Sequence, residues 1–133
     1  MDNDFIAEWF HFADMDLQTA EYIQGMRPQP LEIICYHCQQ SAEKNLKGYL
    51  LYKGIEPPKT HDLLELNDMC LDIDKRFSSL DKVCGSLTRY GVQPRYPREI
   101  GVTVNDTLKA LEHARQVRDF ELIAAVRKEV EQT

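Results

Sequence analysis

The chain has 133 residues, of which 43% are hydrophobic and 29% charged, with a formal net charge of −6; this predicts one soluble domain with its own core. The acidic balance excludes a nucleic-acid footprint spread over the whole surface, so any nucleotide or RNA contact must come from a local patch. No apolar run approaches the ~20 residues that span a bilayer, and the acidic start Met1-Asp2-Asn3-Asp4 lacks the layout of a signal peptide, so a cytoplasmic protein with no membrane association is expected.

Ile6, Trp9, Phe10, Ala13, Leu17 and Ala20 form one apolar stripe and predict a first helix from Asp4 to Gln24, with Asp2, Asn3 or Asp4 at its cap. Gly25, Pro28 and Pro30 end it and open a second helix from about Leu31 to Tyr52, which Lys53-Gly54 closes. Leu31, Ile34, Cys35, Cys38, Ala42, Leu46 and Tyr49 share one side of that helix. His37, Gln40, Lys44 and Lys47 fall on the other. Ser41 and Gly48 stand a heptad apart on this second face, and Leu51 extends it. Such a face can take a ligand, a partner helix against its small residues, or only water. Glu43 and Lys47 have the spacing of a helical ion pair.

Pro57-Pro58-Lys59 makes a rigid connector, after which Thr60 reads as an N-cap with His61 and Asp62 behind it. His61 then holds the loop through a backbone carbonyl. Phe77, Leu80, Val83, Cys84 and Leu87 predict a fourth helix over roughly Lys75 to Tyr90, and the prolines and glycines between Gly91 and Gly101 an irregular loop. The last helix starts near Thr103. Its apolar phase slips from Arg115 to Asp119 and resumes at Phe120, which predicts a kink, or a tail that packs on another subunit. Nothing alternates with period two. The fold expected is all-α, an up-and-down bundle of about five helices in one domain over residues 1–133.

Two features invite chemistry. Cys35-x-x-Cys38 has the spacing of half a zinc site, but these cysteines, like Cys70 and Cys84, sit within apolar helical patterns and read as core packing. No metal or cofactor is expected. In the loop, Arg95-Tyr96-Pro97-Arg98 places two arginines around an aromatic ring, with Arg89 upstream. Guanidinium forks suit phosphate, and Tyr96 can stack on a base. The plainer reading has Tyr96 and Pro97 anchoring the loop and the arginines in solvent. His11 and His113 stand singly and receive no role. No phosphate-binding glycine loop, H-E-x-x-H or G-x-S-x-G is present.

Several of these markers together resemble a known family. Trp9-x3-Ala13-x3-Leu17-x2-Ala20, His37-Cys38-Gln39-Gln40-Ser41-Ala42-Glu43-Lys44-x2-Lys47, Thr60-His61-Asp62-Leu63 and Arg95-Tyr96-Pro97 resemble, in order, the HEPN domain (higher eukaryotes and prokaryotes nucleotide-binding). They span about positions 5 to 125. The resemblance implies an up-and-down helical bundle, related to nucleotidyltransferase substrate-binding bundles, that usually dimerises. It also implies a partner, a minimal nucleotidyltransferase encoded alongside in a toxin–antitoxin-like pair. Many HEPN proteins are metal-independent ribonucleases with an Arg, four to six residues, then His. Neither Arg89, Arg95 nor Arg98 has a histidine at that offset here, and His113 is too far along.

The reading that follows is a non-catalytic homodimer that binds a nucleotide or phosphate, with RNA as a further candidate, through His37, Gln40, Lys44, Lys47, Arg95, Tyr96 and Arg98. Ser41, Gly48 and Leu51 are its expected dimer seam. The alternatives are a divergent ribonuclease working through His37 or His61, and a purely structural or interaction subunit.

Overall fold

The computed structural model describes residues 2–91 and 101–131; Arg95, Tyr96 and Arg98 lie outside them. Six α-helices and three short 3-10 turns make up the described chain, with no strand among these residues. Helix α1 runs Asn3–Tyr22, α2 Leu31–Tyr52, α3 Leu63–Ile73, α4 Asp81–Leu87, α5 Val104–Asp119 and α6 Glu121–Glu131. None is long and apolar enough to cross a membrane.

The helix ends follow from local chemistry. Asp2 caps α1 by accepting the Asp4 N–H at 3.0 Å, and α1 gives out in a 3-10 turn over Ile23–Gly25. Beyond α2, Gly54 adopts φ +80, a left-handed conformation that glycine takes without steric cost. Helix α3 starts later than Thr60 suggests. The Thr60 hydroxyl accepts the Asp62 N–H at 3.1 Å and Asp62 in turn accepts the Leu64 N–H at 3.0 Å, so the cap is Asp62 and Thr60 braces it. The region read as a fourth helix splits into 3-10 turns over Lys75–Leu80 and Thr88–Tyr90 on either side of α4. At α5, Thr103 and Asp106 form a reciprocal capping box.

Helix α2 is the axis of the bundle. Fifteen of its 22 residues are buried, so it has no solvent face of the usual width. α1 packs along it on one side and α5 on another. Ser41, Gly48 and Leu51 are therefore inside the chain itself. Ser41 is 1% and Leu51 2% exposed, and Gly48 meets the Phe10 ring of α1. The close approach that the small residues permit is made by α1, not by a second subunit, and this face is no dimer seam.

The phase slip after Arg115 is a break between helices. Phe120 turns the chain with ψ 131 and puts its ring 4.9 Å from that of Phe77, which lies 4.7 Å from Tyr49. Helix α6 then returns onto the same chain through buried Ile123, Val126 and Val130. Arg127 fastens it, bonding Asp14 at 2.7 Å and Asn45 at 2.9 Å.

All four cysteines are fully buried and free. Burial pushes the Cys35 and Cys84 thiols up to about 12 and those of Cys38 and Cys70 up further still. They are small apolar packing groups rather than thiolates.

Candidate functional site

The residues of the H-x-Q-Q-x-x-E-K run do not line an open face. Glu43 is 4% exposed and holds three groups. Its Oε1 accepts from His61 Nδ1 at 2.9 Å and from Gln39 Nε2 at 3.4 Å, and its Oε2 pairs with Lys47 Nζ at 3.2 Å. Gln39 also donates to the His61 carbonyl at 2.9 Å and accepts from Gln40 at 2.8 Å. A charge this deep persists only when paired and hydrogen-bonded on all sides, and here the pairing joins α2 to the loop before α3.

The network has one outlet. The His61 side chain is 69% exposed, and with Nδ1 on Glu43 its Nε2 is left for solvent or a ligand. Thr88 ties the same loop to the end of α4, accepting the Leu63 N–H at 2.9 Å. Gly91 passes over the Gln39 amide so closely that a Cβ there would lie 3.1 Å from Nε2. Gln40, Lys47 and His61 are thus brought together, with Thr60 and Asp62 beside them.

His37 and Lys44 belong to a different cluster. Both bond Asp16 of α1, His37 Nδ1 at 2.9 Å through Oδ1 and Lys44 Nζ through Oδ2. Asp16 and Glu43 thereby occupy the basic groups of this helix, and the face expected to receive an anion is largely spoken for.

A different place collects cationic groups. Gly85 and Ser86 at the end of α4, with Arg89 and Tyr90 of the 3-10 turn after it, line a cleft of about 240 Å³ together with Asp106, Lys109, Ala110 and His113 of α5. The Arg89 guanidinium lies over the Tyr90 ring, 4.5 Å from its centroid, and donates to the Tyr90 hydroxyl. Its distance to Asp106 is 3.8 Å. The Thr103 N–H and hydroxyl hold the Asp106 carboxyl below its ordinary value, so this lone acid of the cleft is engaged in the α5 cap. Lys109 and His113, one turn apart on α5, supply the remaining donors.

The HEPN domain family matches residues 6–125. This chain belongs to the HEPN domain family. Among solved structures, the chain is similar to TT1696 from Thermus thermophilus, at 23% identity and TM-score 0.71 over 94% of this chain and 97% of that one. It is also similar to ST0689, an archaeal HEPN homologue, at 22% identity and TM-score 0.69 with the same coverage. These likenesses speak for the HEPN fold. Comparison with curated proteins gives no match.

Sequence reasoning passed over this cleft because its members lie on either side of a long stretch of sequence between Tyr90 and Thr103. Arg89 stood out only as a neighbour of that stretch, and His113 as a single helical histidine. The signal available was the run Asp106-x2-Lys109-x3-His113 on one face of a capped helix. Asp16 carried no signal of its own, since its partners come 21 and 28 residues later.

Proposed function

We propose that this HEPN protein is a homodimeric binding module that holds a phosphate-bearing ligand, a nucleotide or RNA, without cutting it. The observation that carries the reading is the cleft lined by Ser86, Arg89, Lys109 and His113, whose one acid, Asp106, is engaged in a helix cap and lies 3.8 Å from Arg89. A guanidinium, an ammonium and an imidazole around a hydroxyl suit the non-bridging oxygens of a phosphate. The volume matches a phosphate with part of its ribose rather than a large cofactor. The resemblance adds a minimal nucleotidyltransferase as partner, in a toxin–antitoxin-like pair; co-expression of the two followed by sizing tests that part.

Calorimetric titration with AMP, ATP and a short RNA tests the binding. The expected result is saturable binding weakened at least about tenfold in Arg89→Ala, as for a lost charged hydrogen bond. No heat with any of the three removes the reading.

The divergent ribonuclease has one observation of its own, the outward Nε2 of His61 backed by buried Glu43, an arrangement suited to proton transfer. RNA incubated in EDTA separates the two. Intact RNA supports the binding module, and cleavage that disappears in His61→Ala supports the enzyme.

A further inference from the structure

Helix α1 carries a second stripe that nothing in the described chain covers. Ile6, Phe10, Ala13, Leu17 and Ala20 fill its core face. Phe5, Phe12 and Met15 point elsewhere and are 46%, 55% and 45% exposed. With Glu8 they recur at alternating spacings of three and four, the pattern of a helix seam. Phe5, Glu8, Trp9, Phe12 and Lys44 line a groove of about 300 Å³, apolar except for that one acid and that one base. The stripe runs roughly 15 Å from Phe5 to Met15 at the helical rise. Contiguous exposed aromatics of this extent mark an interaction surface.

The charges around the stripe indicate what covers it. No Lys or Arg occurs between Asp2 and Gln24, and Glu8 makes no ion pair among the described residues. On the other side of the groove, Lys44 and His37 share the single carboxylate of Asp16. The patch therefore sets an acid lacking a base beside two basic groups crowded on one acid. A two-fold axis requires a surface to complement itself. Laying the stripe antiparallel on its copy sets Phe5 against the other copy's Met15 and Glu8 against its Phe12, which borders the same groove as Lys44, so each Glu8 comes toward the basic side of the other copy. Ile33, 45% exposed and one turn before His37 on α2, extends the same contact toward the area that a stable dimer needs.

We infer that the outer stripe of α1 is the homodimer seam, with a second copy of this chain as its occupant, packed antiparallel on it. The inference rests on the dimer reading above and gives that dimer the surface that Ser41, Gly48 and Leu51 do not provide.

Sedimentation equilibrium of the full chain over a wide concentration series tests it. The expected result is a wild-type dimer and a Phe12→Glu protein whose dissociation constant rises about thirtyfold or more, the loss typical of a central aromatic anchor, with an unchanged circular dichroism spectrum. Met15→Asp, at a second exposed position, should do the same if Phe12→Glu fails to fold. Glu8→Lys should weaken the dimer and reduce its sensitivity to salt. A wild-type protein that is monomeric throughout overturns the dimer reading and the seam together. A dimer retained in folded Phe12→Glu and Met15→Asp overturns the seam alone, leaving the α1 stripe to a different partner.

Discussion

Phe10 lies across Gly48 so closely that a Cβ on that glycine would stand 2.8 Å from the ring's Cε1 and Cζ atoms. The ring cannot swing clear, because it is 2% exposed and the Arg127 guanidinium lies 5.3 Å from its centroid. Gly48→Ala should therefore destabilise the protein by about 1–3 kcal/mol, the usual result of overpacking. The ~1 kcal/mol that alanine gains in helix propensity does not offset the overlap. Thermal denaturation should show a midpoint lower by several degrees; an equal or higher midpoint would show that α1 and α2 can part without strain.

Lys47 and Glu43 form an ion pair whose side chains are 10% and 5% exposed. Lys47→Met leaves Glu43 charged and buried, at a cost of about 3–5 kcal/mol. Adding Glu43→Gln should recover part of that loss, since a neutral amide still offers an acceptor to His61. Urea denaturation of the two variants checks both statements. A Lys47→Met protein as stable as the wild type would mean that the pair contributes nothing.

The second-helix boundaries were legible because proline, glycine and apolar spacing are local signals, and Pro30 and Gly54 carry them. The start of the last helix near Thr103 was local as well. Burial of Gln40 and Lys47 was not legible, because apolar periodicity assigns polar side chains to solvent. They bond Gln39 and Glu43, which are held in turn by a histidine 18 residues beyond Glu43, and no repeat within the helix can reveal that. The same limit hid the α4–α5 cleft, whose cationic groups meet only after two helices pack. Cysteine burial, by contrast, was readable from Ile34 and Ala42 on the same helical side.

The four thiols make the protein sensitive to alkali. Burial raises each above the ordinary 9.0, so the unfolded chain releases these protons before the folded one does. Stability from this source is complete below pH 9 and falls as pH rises toward about 12, where Cys35 itself ionises. Each thiol withdraws about 1.4 kcal/mol per pH unit over that range. Unfolding at pH 7 and pH 10 should differ accordingly, and replacing Cys38 by Ala should reduce the difference. An identical pH profile in Cys38→Ala would place that thiol outside the effect.

Arg127 bonds Asp14 and Asn45 from α6. In Arg127→Ala, amide hydrogen exchange should speed up in α6 well before α2, since the helix then loses its bonds to Asp14 and Asn45 and Asp14 loses its guanidinium. Uniform acceleration over the whole chain would instead show that α6 opens only with global unfolding.

Because Gln39, Glu43 and Lys47 spend their hydrogen bonds on one another and on the inner side of His61, the H-x-Q-Q-x-x-E-K run is a joint in the scaffold of this chain. A chain keeping these four keeps the angle at which the second helix meets the following loop, whatever it binds. The run thus works as a folding key, and what sets this protein's ligand should be sought in side chains it leaves alone, such as those around the end of α4 and on the first turns of α5.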